Sequence, residues 1–457
     1  MDATSLVSAW DAQLVQLDAV FTKPTAGTWR QIVLGWILHR GPATVTGMFR
    51  TLGTAATKDW TVYEKFFYRA RWSLEALCNR LMESLIAPLI RESAPRDGED
   101  GPPVVDLNLD DTTAARYGRH VAHAGWFKDA SAQGPAVQGT VIHWAHNWIV
   151  ASLALRLQGW EKIRWNLPVA FRLYRKQSDC ADVPFLTRHQ LAAQIVQQVA
   201  KALPGIRLRT AADGQYACRE FIQPLPEKVN LVSRIRRDAA IYELPAPKPP
   251  HRRGRQAKKG PRLPAPKKLA EADSDDWRKI TVTRQGRKVK RLVRSVVCLW
   301  YHVCGEKPIR LVIVRDLAGK QKDDFLFCTD AEVSEEEIVQ RYYDRWGVEE
   351  AILESKQQMG FERTRGFCSK TVHRQAPLAM LLTTLVKLWY ARCAAAEPSL
   401  LPTPTPWYPS KDRPSFLDML SGLRRVLWQH RIKPNSWSRV DPAEIWEAVA
   451  YALFAAA

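Results

Sequence analysis

The spacing of apolar residues divides the chain into stretches of different period. Up to about residue 94 the period is helical. Trp29, Ile32, Val33, Trp36 and Ile37 share one face, and Trp72, Leu77, Leu81, Leu85 and Ile86 share another. Between them, Ala43-Thr44-Val45-Thr46 and Lys58-Asp59-Trp60-Thr61 each offer a start for a short helix. The arrangement is loosely like a helix-turn-helix and equally compatible with an ordinary small helical domain. Pro95 to Pro103, with Gly98 and Gly101, reads as a linker. Beyond it the period shortens to two, with Val105, Leu107 and Leu109 alternating with Asp106, Asn108 and Asp110, which predicts a strand. Further strands are expected over 139–146, 148–157, 206–212 and 229–235, with a helix over 188–203. Strands interrupted by helices point to an α/β or mixed sheet with flanking helices.

Residues 245–268 break the pattern. Pro245, Pro247, Pro249, Pro250, Pro261, Pro264 and Pro266 stand among Lys and Arg without one acidic residue, so the stretch is expected to be an extended, mobile arm. Arg252, Arg253, Arg255, Lys258 and Lys259 are its candidate phosphate contacts; a merely solvated basic linker is the plainer alternative. Residues 280–284 and 288–297 flank Gln285-Gly286 and predict a basic β-hairpin, followed by strands at 299–303 and 310–314. A long helix should start at Ser334, which forms a capping box with Glu337, and end at Gly360. Its roughly 25 residues would span about 37 Å. A helix over 375–396 and two or so terminal helices complete the reading, and no internal repeat is visible.

Composition narrows the function. The chain has 457 residues, 46% of them hydrophobic, enough for a real core and for about three domains, which excludes a disordered or collagen-like protein. No basic n-region with an apolar run follows Met1, so no secretory signal is expected, and the most apolar stretch, 378–389, is interrupted by Lys387. Lys plus Arg number 67 against 47 Asp plus Glu, a net charge of +20 that calls for an anionic partner, nucleic acid ahead of a membrane surface. The eight cysteines form no C-x-x-C pair and read as isolated small hydrophobes in a reducing compartment. His120 with His123, and His143 with His146, resemble metal-ligand pairs, but a spacing of three puts strand residues on opposite faces. No Walker A, GxGxxG or Gly-x-Ser-x-Gly segment is present.

The chemistry concentrates on the long helix. At about 100° per residue, Tyr342, Arg345, Glu349 and Lys356 fall within a stripe roughly 60° wide, running past Trp346 and Leu353. A solvated helix with Glu-Lys pairing is the bland alternative. The spacing Tyr-x2-Arg-x3-Glu-x6-Lys resembles the motif of DDE-type bacterial insertion-sequence transposases, as do the surrounding Arg345-Trp346, Val348-Glu349-Glu350, Met359-Gly360-Phe361 and Arg365-Gly366.

The resemblance implies an RNase H-like mixed sheet with flanking helices, interrupted by a mostly β insertion, plus a helical N-terminal domain. It implies Glu349 as third catalytic carboxylate. The first is sought in Leu109-Asp110-Asp111-Thr112-Thr113, where alternation puts Asp111 on the face of Leu107 and Leu109, with Asp110 in reserve should the strand carry a bulge. The second is Asp213, in Ala212-Asp213-Gly214-Gln215-Tyr216; a turn-forming Asp-Gly pair is the plain reading of the same residues. Asp111, Asp213 and Glu349 would ligate Mg²⁺, with Mn²⁺ as substitute, and Tyr342, Arg345 and Lys356 would hold a DNA phosphate.

The implied divisions are a DNA-end-binding unit over 1–94, core over 104–240, basic arm and β insertion over 241–333, core again over 334–396, and a helical region over 397–457. The implied activity is cut-and-paste transposition on double-stranded DNA, at terminal inverted repeats and target, by a homodimer at the bacterial nucleoid with no membrane role. A repurposed, inactive DNA-binding protein and a structure-selective nuclease are the rivals. Trp300 or Trp277 in the insertion could stack a flipped base, though a core place is the commoner fate of tryptophan.

Overall fold

The computed structural model describes residues 3–129, 139–181, 183–247, 255–402, 404–411, 413–432 and 449. The chain opens with helices α1 (Ala3–Val15), α2 (Lys23–Leu38), α3 (Val45–Leu52), α4 (Trp60–Tyr68), α5 (Leu74–Leu81) and α6 (Ala87–Ser93). The two short ones begin where expected: Thr44 accepts from the Gly47 amide at the start of α3, and Asp59 from the Thr61 amide at the start of α4. A π-turn over Met82–Ile86 joins α5 to α6 just ahead of Pro88, whose missing N–H breaks the regular ladder.

Strands β1 (Val104–Ala115), β2 (Gly125–Lys128), β3 (Ile142–Leu155), β4 (Trp165–Tyr174), β5 (Arg207–Ala212) and β6 (Asn230–Arg234) follow, with α7 (Arg188–Ala202) before β5 and the short α8 (Arg219–Ile222) before β6. Then come α9 (Pro266–Glu271), β7 (Arg278–Arg284), β8 (Arg287–Leu299), α10 (Tyr301–Cys304), β9 (Pro308–Asp316) and β10 (Asp324–Cys328). Helices α11 (Glu335–Asp344), α12 (Trp346–Gln358), α13 (Ser369–Cys393) and α14 (Phe416–Ile432) close the described chain, and no helix is long and apolar enough to cross a membrane.

All ten strands belong to one sheet, in the order β2-β3-β1-β5-β6-β10-β9-β8-β7, with β4 also on β3. β1, β5 and β6 run parallel, and β3 runs antiparallel to β1 and β4. The region expected as an inserted unit therefore extends the central sheet, because β10 pairs directly with β6. The β7–β8 hairpin turns at Gln285 and Gly286, both with positive φ, as the Gln-Gly pair predicted.

Several expectations need correction. The two strands expected over 139–157 are one strand, since β3 pairs without a break with β1. β4 was hidden by Pro168, which lacks a ladder donor; it pairs only with β3, at a register shift opposite Ala151/Ser152. Residues 299–303 end β8 and start α10 instead of forming a strand. The arm is not free throughout: Glu243 N donates to Pro261 O, Gly260 N to Glu243 O and Leu263 N to Ile241 O, folding 260–263 back on 241–243.

The N-terminal helices do not pack alone. They share a core with α13, which is buried almost all round from Gln375 to Ala391. Trp389 Nε1 donates to Leu6 O at 3.0 Å, Gln13 Nε2 to Leu385 O at 3.0 Å, and Trp36 Nε1 to Met359 O at 3.0 Å. Buried Arg374 lies 4.4 Å from the centre of the Trp72 ring and donates to the carbonyls of Phe66, Phe67 and Trp72. Arg374→Ala strands those carbonyls and is expected to destabilise the whole fold by about 3 kcal/mol, read as a lower urea midpoint at unchanged slope.

Candidate active site

Alternation along β1 sends Asp106, Asn108 and Asp110 to one face of the sheet and Leu107, Leu109 and Asp111 to the other. Helices α11 and α12 lie on the first face. Asn108 Nδ2 donates to Asp344 O at 3.5 Å, and Arg164 pairs with both Asp106 and Asp344. The long helix is therefore two helices that meet at Arg345. Two residues on, Gly347 is packed so tightly that a Cβ there would sit 2.2 Å from Asn166 Oδ1, which sets α12 directly on β4.

Arg345 organises the site. Its Nη1 donates to Asp110 Oδ2 at 3.0 Å and its Nη2 to Glu349 Oε1 at 2.7 Å. Burial works against its charge, but Asp110, Tyr342, Glu349 and Asp213 together raise its pKa. Asp213, one residue past the end of β5, adds its charge to the same field. The Asp110 carboxyl is pushed up to about 7, mainly by burial; Arg345 opposes the shift, and Glu349 and Asp111 add to it. Tyr342 is buried beneath, its ring 5.2 Å from Arg234 and 5.8 Å from Arg345, and its hydroxyl is pushed up to about 12 by burial.

Asp111 occupies the opposite face, as alternation requires. There its carboxylate accepts from Asn147 Nδ2 at 3.1 Å, from Arg188 Nη1 at 3.3 Å and from Gln215. The parity expected for Asp111 is what the strand has, but the Glu349 helix lies on the other side of the sheet, so Asp110 is the residue that meets it. Asn147, Arg188 and Gln215 gave no periodic or motif signal; only the fold brings them together. Behind them Tyr216 is fully buried, and burial first, then the charges of Asp111, Asp110 and Asp213, raise its hydroxyl well above the ordinary value. Among the described residues, Tyr216 Oη and Asn147 Oδ1 are buried without a hydrogen-bond partner. Oxygen donors alone, several of them anionic, make a set that suits a hard divalent cation.

The remaining candidates are placed less centrally. Lys356 turns to Thr113 O, at 2.8 Å, and to Glu362, at 2.7 Å, so its charge is met within the chain. Arg252 and Arg253 lie outside the described residues. Arg255 is exposed, Lys258 pairs with Glu306, and Lys259 sits 3.9 Å from the centre of the Tyr242 ring. Trp300 is a core residue against Phe327, and Trp277 stacks on Arg315. The histidine pairs do not act as pairs: His123 is held by Asp179 and Ser369, and His146 by Arg116 and Ala122.

Asp110 stands one residue beyond the parallel pairing of β1 with β5, Asp213 one residue beyond β5, and Glu349 in the first turn of α12, carboxylates of the kind that can serve hydrolytic chemistry on phosphate esters. The chain belongs to the family described as DDE superfamily endonuclease, whose model matches residues 16–289. The match takes in the N-terminal helices from α2 onward, both Asp110 and Asp111, and Asp213; it stops short of Glu349. No curated protein matches the chain. Among solved structures, the cryo-EM structure of a piggyBac transposase synaptic complex with hairpin DNA is similar at a TM-score of 0.40 and 11% identity, over 93% of this chain and 76% of that one.

The hydrogen bonds at the far end of β1 dictate a pH response. Arg116 Nε donates to His146 Nδ1 at 2.9 Å and His146 Nε2 lies 2.9 Å from Ala122 O, so the ring must stay neutral. Burial, then Arg116, lowers its pKa from 6.5 to about 3. Below pH 6.5 the unfolded chain gains a proton that the folded ring refuses until about pH 3, so stability is lost as pH falls through that window. The loss attributable to this ring is at most about 5 kcal/mol, and His146→Gln should flatten the slope of the urea midpoint between those limits.

Proposed function

We propose that the chain is a DNA transposase that cuts and joins phosphodiesters at transposon ends in cut-and-paste fashion, with Asp110, Asp213 and Glu349 as its working carboxylates. The observation that carries this reading is the single guanidinium of Arg345, bonded to Asp110 and Glu349 and within the field of Asp213. The strand order β4-β3-β1-β5-β6, with β3 alone reversed, supports treating the core as RNase H-like.

The three carboxylates would hold Mg²⁺, or Mn²⁺ in its place. Two such ions, when bound, supply activation of a water or 3′-hydroxyl and stabilisation of the leaving oxygen in an in-line displacement. The protein's own part is positional. Arg345, bonded to Asp110 and Glu349, offsets the repulsion among the carboxylates. Asp111, anchored by Asn147, Arg188 and Gln215, ties β1 to the loop that follows Asp213. Exposed Arg234, stacked on the buried Tyr342 ring, is the cation beside the site on which a DNA phosphate can rest. DNA substrate and a homodimer on paired terminal inverted repeats belong to the same proposal.

The test is incubation of the full chain with DNA carrying the inverted repeats that flank its gene, in Mg²⁺ or Mn²⁺, with excised and joined products as the readout. Glu349→Gln and Asp110→Asn should each lower cleavage on the order of 10³-fold or more while end binding persists. Normal cleavage by Glu349→Gln overturns the assignment. Asp111→Asn is expected to retain more cleavage than Asp110→Asn, and the reverse ranking would move the site to the other face of the sheet. End binding should weaken about 10³-fold between 50 and 200 mM salt, as expected when several phosphates are neutralised; a flat response in filter binding would remove the backbone track from the proposal.

A further inference from the structure

A second cluster of ligating side chains lies outside the carboxylate site. His189 is the second residue of α7, Cys218 is the N-cap of α8, and Glu220 stands within α8. One imidazole nitrogen, the thiol sulfur and one carboxylate oxygen lie within 4.8 Å of one another. His189 and Cys218 are half-buried and Glu220 is exposed, so the cluster has both a rigid base and an open side. A nitrogen, a sulfur and an oxygen make a donor set of a different character from the all-oxygen set at Asp110, Asp213 and Glu349. Thiolate and imidazole favour zinc over magnesium, and three protein ligands with an open position form a familiar zinc geometry.

The position of the cluster gives it a consequence. Tyr216, two residues before Cys218, packs edge-on against the His189 ring with centroids 6.0 Å apart. Gln215 and Arg188, immediate neighbours in sequence of Tyr216 and His189, both hold Asp111. Whatever ties His189 to Cys218 therefore also ties the start of α7 to the loop running from Asp213 to Tyr216.

We infer that His189, Cys218 and Glu220 form a separate zinc site, completed by water, that braces the Asp213 loop against α7. On binding, the Cys218 thiol gives up its proton to solvent and the thiolate bonds to the metal, with no change in oxidation state. The site does not depend on the transposase reading, since the brace needs only the fold.

Titration of the full-length, metal-free protein with Co²⁺ tests it directly. The expected result is a thiolate-to-cobalt charge-transfer band that saturates at one equivalent, is bleached by Zn²⁺ and is untouched by excess Mg²⁺. The band should disappear in Cys218→Ser and tight binding should be lost in His189→Gln, while Glu349→Gln, altered only in the carboxylate site, keeps both. Absence of the band from the wild-type chain overturns the inference, as does its survival in Cys218→Ser, which would place the thiolate elsewhere. Should Cys218→Ser not fold by circular dichroism, His189→Gln decides: an unchanged affinity there overturns the site. Failure of this titration leaves cleavage by the carboxylate site unaffected, so the two readings fall separately.

Discussion

A half-buried cation shared by carboxylates from distant parts of the chain is the constraint around which this architecture is arranged. Asp110 and Glu349 are 239 positions apart in sequence, yet both bond to Arg345. Burial resists the ionisation of Asp110 and pushes its carboxyl up to about 7, and the like charges of Glu349 and Asp111 add to that pressure. Arg345 relieves it only if β1, the end of β5 and the start of α12 meet at one point. The junction between α11 and α12 falls at Arg345 itself, and the residues on either side are fixed independently: Asp344 by Arg164 and Gln340, Gly347 by its contact with Asn166.

Two flanks hold that junction. On one side α11 rides on the extension of the sheet, where Ile338, Val339 and Tyr342 pack with Val232, Val282, Val293, Val312, Val314 and Leu326. Its first turn is anchored by Glu335, which accepts from Ser295 and pairs with Arg310 and Arg278. On the other side α12 is tied to α13 through Ser355 and Thr383, and through Glu354 and Lys387. α13 is in turn enclosed by the N-terminal helices. The strands β7–β10 and the helices α1–α6 are thus parts of the scaffold that sets Glu349 in place, whatever else they contact.

Much of this was legible in the sequence. The four-residue stripe, its capping Ser334 and terminating Gly360, the Gln285-Gly286 hairpin and the period-two run before Asp110 are all local signals, and local physics determines each of them. What stayed hidden depends on which elements meet. Alternation told Asp110 from Asp111 by parity, but parity does not say on which face a helix will lie some 230 residues later. Pro168 masked β4 because its cost depends on whether the strand has a neighbour on that side. The basic, proline-rich arm looked unable to pack, yet Leu263 reaches the core once residues 241–243 offer their backbone as a partner.

The same reasoning alters what the net charge of +20 can do. A sequence count treats every guanidinium as available to an anionic partner, whereas many here are already neutralised within the fold. Arg164, Arg209, Arg291 and Arg315 face carboxylates, Arg345 is shared by two, and Lys356 is met by Glu362. The Arg345–Lys356 row is therefore better suited to hold the site together than to supply long-range attraction. Exposed charge collects instead on the β7–β8 hairpin, at Lys279, Arg287, Lys288 and Lys290. That hairpin is joined edge-on to α11, since Thr283 N donates to Gln340 Oε1 at 2.7 Å and Gln340 Nε2 to Thr283 O at 3.0 Å. Gln340 is only five residues before Arg345, so the open positive charge of the hairpin adjoins the carboxylates along α11, as the proposed action on DNA would require. Attraction and chemistry are divided between adjoining elements: one stays open to solvent, where charge steers, and the other is buried, where charge positions.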